Sequence, residues 1–284
     1  MTNKYIAYNG IVIGAENWVK KDGGVEYTPY IFSEFSPNEV STTFQKDDLI
    51  TDGSEYSNYR YEPRIVSLRG HILPRKGESV EELRIKLYEK CGGKTAHRLM
   101  YSSSTHGYFA EAVADAPVTA KPAGAAAEFN INFTLPGFFW YDEQQTEIAA
   151  HTRIKNLPMP FTLPRSFGST VSGATIINTN DFDIFPRVKI ISDSNDKTES
   201  LELTNETTGK KITMTGYSIT AGTQILIDCQ SLTVTAGGVD ILDYFNDFSD
   251  FALIPGGNQI KCTNNGLNQS LRVAVEFYRP YVGI

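Results

Sequence analysis

Phe129-Asn130-Ile131-Asn132-Phe133-Thr134-Leu135 alternates apolar and polar side chains without a break. Successive side chains of a strand leave opposite faces, so this stretch reads as a half-buried antiparallel strand. It runs into Pro136-Gly137 and then four rings, Phe138-Phe139-Trp140-Tyr141. Such rings bury a large area when they pack, which suits an apolar plug at a strand end. A sugar-stacking platform or a protein contact is the alternative use. Near the other end, Leu271, Val273, Val275 and Phe277 repeat the alternation against Arg272, Glu276 and Tyr278. Between these two stretches lie short strand candidates at about 199–205, 210–215, 223–229 and 231–236, divided by Glu206-Thr207-Thr208-Gly209 and Thr220-Ala221-Gly222. Short strands at nearly regular spacing with polar turns predict a sandwich or barrel.

One helix interrupts this β pattern. Ser79-Val80-Glu81-Glu82 has the form of a capping box, in which hydroxyl and carboxylate satisfy each other's backbone amides. Val80, Leu83, Leu87 and Cys91 then form an apolar stripe, and Gly92-Gly93 supplies a left-handed stop. Strand-like Ile65–Ile72 precedes the helix and Leu99–Tyr101 follows it, so its stripe should pack on one side of a sheet. Cys91 on that stripe reads as a small buried hydrophobe.

The 284 residues exceed an ordinary single domain, and two is the better expectation. The boundary falls near 142–160, where a polar stretch leads to Leu157-Pro158-Met159-Pro160 and Leu163-Pro164, an extended and helix-free connection. This gives domains 1–145, strands with one helix, and 146–284, all β. The formal charge of −7 divides into −4 for residues 1–145 and −3 for 146–284, so neither part offers the basic face that phosphates require. No specific nucleic-acid partner is expected. No run of apolar residues is long enough to span a bilayer, and no apolar leader follows Met1-Thr2-Asn3-Lys4-Tyr5. Cys91, Cys229 and Cys262 are too few and scattered for a disulfide framework, which implies thiols in a reducing cytoplasm. Asn205-Glu206-Thr207 and Asn268-Gln269-Ser270 fit the glycosylation sequon, but without export they are chance matches.

Residues that could carry chemistry do not assemble into a reaction. His71, His97, His106 and His151 form no zinc-type pair. Ser102-Ser103-Ser104-Thr105-His106-Gly107 puts hydroxyls beside an imidazole without a nucleophile elbow and reads as a hairpin turn. Asp47-Asp48 would face opposite ways on a strand, and Glu81-Glu82 suits a helix N-terminus. Asp181, Asp183, Asp193, Asn195 and Asp196 lack the order of a calcium loop. Ile254-Pro255-Gly256-Gly257-Asn258 is no phosphate loop, because no Lys-Ser/Thr follows. The expectation is a protein that is not an enzyme, with no catalytic, cofactor-binding or metal-ligating residue and no cofactor. Binding or architecture remains, and Tyr56–Tyr61, with aromatics between polar residues, suits either a wet protein interface or an ordinary loop.

The order of these features resembles the distal tail proteins of long-tailed bacteriophages that infect Gram-positive hosts. The first-half match rests on Arg64-Ile65-Val66-Ser67-Leu68-Arg69-Gly70, the helix Val80–Glu89 with Lys94, the strand Phe129–Leu135 and the aromatic close Pro136–Tyr141. In the second half it rests on Phe185-Pro186-Arg187-Val188-Lys189-Ile190, the hairpin Glu206–Gly209, Ile225-Leu226-Ile227-Asp228 and Asp250-Phe251-Ala252-Leu253-Ile254-Pro255-Gly256-Gly257-Asn258, with a last strand finishing Tyr278-Arg279.

The resemblance implies a mainly β (α+β) fold: an N-terminal β-sandwich-like domain with a helix and hairpin, and a C-terminal galectin-like β-sandwich. It also implies a structural hub of the tail tip or baseplate, a homo-hexameric ring joining the major tail tube protein and tape-measure protein to the tail-associated lysin or fibre and receptor-binding proteins. Such a protein is synthesised and assembled in the host bacterial cytoplasm and resides in the virion. A carbohydrate-binding host-adsorption module is the alternative. Two departures bear on that alternative: the chain has room only for modest loops such as 20–62, and its second half lacks the sugar-binding pattern of true galectins.

Overall fold

The computed structural model describes residues 4–21, 24–37, 42–48, 54–114, 119–123, 126–154, 169–171, 173–192, 198–264 and 271–284. The chain divides into two compact units. One comprises Met1–Gln144 with Pro280–Ile284, the other Gln145–Arg279. The return of the last five residues to the first unit has no counterpart in a division made at one point of the chain.

The first unit opens with β1 (Tyr5–Tyr8), β2 (Ile11–Gly14), β3 (Trp18–Lys21), β4 (Gly24–Tyr27) and β5 (Tyr30–Ser36). It continues with β6 (Thr42–Asp48), β7 (Ser54–Tyr61), β8 (Arg64–Ile72) and the helix α1 (Val80–Cys91). Then follow β9 (His97–Ser102), β10 (Gly107–Ala114), β11 (Thr119–Ala123), β12 (Ala126–Leu135) and β13 (Trp140–Ile154), which passes the boundary at Gln144.

Strands β12, β8, β5, β2, β1, β9 and β10 pair in that order, and β10 pairs back onto β12 through Val113 with Thr134 and Ala114 with Phe133. The circuit therefore closes, which removes the free edges that an open sheet would leave. All its pairs are antiparallel except β2–β5, joined in parallel through Gly14 and Ile31. The quoted alternation is what fills this core. Phe129, Ile131, Phe133 and Leu135 of β12 point inward with Val66, Leu68 and Ile72 of β8, while Glu128, Asn130, Asn132 and Thr134 face outward or half out. Gly70 is required where β5 bulges against β8, because a Cβ there would lie 2.2 Å from Ile31 O and 2.7 Å from the Phe129 ring. Tyr56–Tyr61, open between a wet interface and an ordinary loop, lies on strand β7, paired with β6; the side chains of that pair, Asp47 and Asp48 included, lie outside the described residues.

Helix α1 packs on β12 and β8. Leu87 and Cys91 are buried, and Val80 and Leu83 pack partly buried against the same core. Both expected end signals are corrected. Ser79 makes no side-chain cap bond, and Gly92 sits at φ −91° and ψ 4°, not in the left-handed region. The rest of the unit holds the helix instead: Tyr30 Oη donates to Leu83 O at 2.9 Å, and Asn9 Nδ2 donates to Lys90 O at 2.8 Å. Of these two, only the Lys90 carbonyl belongs to the last turn, where a carbonyl has no partner within the helix.

The second unit contains β14 (Ser169–Val171), β15 (Gly173–Asn178), β16 (Arg187–Ser192), β17 (Thr198–Asn205), β18 (Lys210–Ile219) and β19 (Gln224–Asp228). After these come β20 (Thr233–Ala236), β21 (Val239–Asp240), β22 (Phe245–Asn246), β23 (Gly256–Asn264) and β24 (Leu271–Tyr281). One sheet has the order β15-β23-β17-β18-β22, and the other includes β24-β16-β19-β20-β21. Leu201, Leu203, Ile212, Met214, Ile260 and Cys262 from the first face Val188, Ile190, Ile225, Ile227, Val273 and Val275 from the second in one core. This is the sandwich that regular short strands predict. The proline-rich connection at 157–164 lies outside the described residues.

Candidate assembly site

Three local constructions carry the features that sequence reading singled out. The first is the aromatic close. Phe138 and Trp140 are buried, and Trp140 Nε1 donates to Pro37 O at 3.4 Å. Arg64, the first residue of β8, lies among them at 1% exposure. Its guanidinium stands 5.0 Å over the Phe138 ring and donates to Pro37 O at 3.3 Å and to Val282 O. Burial lowers the pKa of Arg64, yet its cation is kept by carbonyls and a ring face. Arg64 thus fastens the returning C-terminus within the first unit. Tyr281 adds to this, its ring 5.3 Å from Tyr108 and its hydroxyl donating to Asp142 at 3.3 Å. The plug reading of Phe138–Tyr141 fits this packing, since two of its rings are fully committed inside.

The second construction is the Pro-Gly turn of the second unit. Gly256 takes φ +90°, a conformation that only glycine adopts freely after Pro255. Asn258, fully buried, accepts from Ile254 N–H at 3.0 Å and donates to Ile254 O at 2.8 Å and Gly256 O at 3.3 Å. Two further buried asparagines complete the lock. Asn205 Nδ2 donates to Asn258 Oδ1 at 2.9 Å and Ala252 O at 3.0 Å, and Asn178 Nδ2 donates to Leu253 O at 2.8 Å and Phe182 O at 2.9 Å. Sequence reading found Asn258 and missed the other two. Asn205 opens a turn, which was the available signal; Asn178 gives none. The same burial closes the Asn205 sequon, because its amide nitrogen is already engaged.

The third is the set of titratable residues. His71 is half-buried on β8, His97 packs edge-on against Tyr8 at 5.7 Å, and His106 stacks 6.3 Å from Tyr108 in the β9–β10 turn, where Ser103 Oγ donates to His106 O at 2.9 Å. That turn is the hairpin expected there. His151 is buried, its Nδ1 has no hydrogen-bond partner among the described residues, and burial lowers its pKa. The four histidines are therefore not brought together. Asp181 and Asp183 are exposed, Asp193, Asn195 and Asp196 lie outside the described residues, and no His, Cys, Asp and Glu cluster among the described residues could hold a metal ion. Cys91, Cys229 and Cys262 are free and buried, and burial pushes each thiol up to about 12. No helix among the described residues is long and apolar enough to cross a membrane. A shallow cleft of about 380 Å³ on the second unit is lined by residues including Thr175, Glu206, Gln259 and Lys261. Lys261 pairs with Glu206 at 3.2 Å across it, and no ring lines it.

Residues 181–281 match the family described as siphovirus-type tail component, C-terminal domain. No curated protein matches the chain by sequence. Among solved structures, the SPP1 Dit protein, described as a paradigm of the hub adsorption apparatus in phages infecting Gram-positive bacteria, is similar over 98% of this chain and 99% of its own, with a TM-score of 0.65 at 12% identity. A chain of the phage P2 baseplate in its activated, calcium-bound conformation is similar at a TM-score of 0.54 and 14% identity, covering 98% of each chain. The strontium-bound form of that baseplate gives 0.53 at 14% identity, over 97% of this chain and 98% of that one. The chain therefore has the fold of a solved distal tail protein, and its residues 181–281 match a siphovirus-type tail component domain. The resemblance to distal tail proteins read from the sequence is borne out.

Proposed function

We propose that the chain is the subunit of a closed hub ring at the tail tip or baseplate, most simply a homo-hexamer, and that it works by assembly. The family match across residues 181–281, joined to end-to-end likeness with a solved distal tail protein, carries this reading. When one surface patch of a subunit fits a different patch on the next, the contact repeats, and a ring forms where the rotation between subunits closes. In this reading residues 1–145 form the ring and continue the tube, and residues 146–284 form a galectin-like outer domain. Neighbours are the major tail tube protein, the tape-measure protein, the tail-associated lysin or fibre and the receptor-binding proteins, with synthesis and assembly in the host cytoplasm. The acidic balance of both parts suits a lumen that lets DNA pass, since a basic wall would retain phosphates. A sugar-binding role finds less support, because the described cleft of the second unit has no ring to stack on a glycan.

Native mass spectrometry and particle imaging of the full chain, alone and with the tail tube protein, test the reading. Six-membered rings are expected. A strict monomer under both conditions would overturn it.

A further inference from the structure

From Ile212 to Ile260 the chain contains five aspartates and no Lys, Arg or His. Two of the five are neutralised from outside the segment, Asp228 by Arg187 at 2.9 Å and Asp250 by Lys210 at 3.1 Å. Asp240, Asp243 and Asp247 are exposed and have no ion pair among the described residues. They do have local tasks: Asp240 Oδ1 accepts from Leu242 N–H at 2.9 Å, and Asp247 Oδ2 accepts from the Thr213 hydroxyl at 3.3 Å. Those bonds hold the backbone and leave the negative charges facing water.

These aspartates sit among aliphatic and aromatic side chains that the second unit does not bury. Val239 is 66% exposed, Tyr244 41% and Leu242 38%. Their placement follows from topology. Strand β21 is the last of one sheet and β22 the last of the other, so the stretch 239–246 runs from sheet to sheet across an edge of the sandwich. Tyr217 of β18 extends the patch, its ring 5.3 Å from Tyr244. Each edge strand has only two residues, which leaves little free backbone for strand addition and makes side chains the recognisable feature.

An apolar patch with a polar rim marks an interaction site, and the sign of the rim selects the partner. A negative rim repels phosphate groups, whether of nucleic acid or of anionic lipid, and attracts Lys and Arg. We propose that the edge Val239–Tyr244 docks a basic segment of another protein, one that carries aliphatic side chains flanked by Lys or Arg. The aliphatic side chains cover Val239, Leu242 and Tyr244, and the cations pair with Asp240, Asp243 and Asp247. This docking is separate from ring closure and uses only the geometry of the second unit.

The test titrates the full chain into fluorescently labelled peptides and follows anisotropy. Three probes are used: a lysine–valine–glycine peptide, a lysine–serine–glycine peptide and a glutamate–valine–glycine peptide. The lysine–valine probe is expected to bind about tenfold tighter than either control and to weaken as salt rises. Val239→Ser with Leu242→Ser should reduce its affinity about tenfold, and Asp240→Asn with Asp243→Asn should remove most of the salt dependence. All four residues are exposed, so unchanged thermal unfolding of the variants is expected alongside. Equal binding of the lysine–serine probe would reduce the effect to general charge attraction and overturn the proposal. Failure of every probe to bind, undiminished binding by the Val239/Leu242 variant, or a change in native mass caused by that variant would also overturn it; the last outcome would make the edge a contact between copies of this chain.

Discussion

The two units bury their polar groups differently. The first keeps a cation inside: Arg64 lies between the Phe138 ring and the carbonyls of Pro37 and Val282, and its Nε finds no partner among the described residues. The second holds its turn with neutral amides, Asn178, Asn205 and Asn258 each bonded to backbone there, and its buried charge, Glu276, is paired with Lys189 at 3.3 Å. An amide carries donor and acceptor together and can satisfy both strands of a turn. A guanidinium only donates, so it suits the convergence of carbonyls from separate segments. The unit that must fasten a returning chain end has the guanidinium, and the unit that must hold a tight turn has the amides.

The largest effects should fall within one unit at a time. Trp140→Ala is expected to cost about 4 kcal/mol, since it empties a fully buried site of the first core. Asn258→Ala should cost about 3 kcal/mol by leaving the Ile254 N–H and its carbonyl partners unpaired. Hydrogen exchange read by mass spectrometry should place the lost protection in residues 4–144 for the first variant and 173–264 for the second. Equal loss in both units for either variant would break the comparison. Arg64→Met should cost less, about 2 kcal/mol, because two carbonyls lose their donor while the stem's packing is kept. Denaturant unfolding should show it, together with faster exchange at the C-terminus.

A pH titration sharpens the contrast further. His151 has a lowered pKa through burial, so the folded second unit favours the neutral ring. Its contribution to stability is complete above the unfolded value of about 6.5 and is lost as the pH falls from there through the lower folded value. Asp228 adds a second, more acidic window. Burial raises its pKa, but the Ser231 amide, Arg187 and the Gln230 amide outweigh that and lower it overall, so this contribution is lost as the pH falls below about 4. Thermal unfolding followed between neutral and mildly acidic pH should show the second unit weakening first, and His151→Leu should flatten the upper part of that dependence. The smallest effect belongs to Ser79→Ala. A working N-cap is worth about 1 kcal/mol, but Ser79 makes no cap bond, so helix stability by circular dichroism should be nearly unchanged.

The alternation of residues 129–135 and 271–277 was legible because burial of one strand face imposes a period on the residues themselves. The stripe Val80, Leu83, Leu87 and Cys91 was legible for the same reason. The helix C-terminus was misread because a distant residue does the work expected of a glycine stop: Asn9, in the β1–β2 turn, donates to the last-turn carbonyl of Lys90. Arg64 was read as an ordinary strand residue. Nothing local marks an arginine whose partners are residues 37, 138 and 282. The acidic edge was equally hidden: the aspartates were countable, but their exposure beside Val239 and Leu242 depends on where the two sheets end.

By itself, the sequence determined the class of fold, the helix Val80–Cys91, the Pro-Gly turn with Asn258, and the ordered features shared with distal tail proteins. These are properties of periodicity and local chemistry, which each segment carries alone. Only tertiary structure decided the closure of β10 onto β12, the return of Pro280–Ile284 to the first unit and the asparagine lock. Each depends on contacts between residues far apart in the chain, and the free energy of such a contact exists only once both segments have been placed.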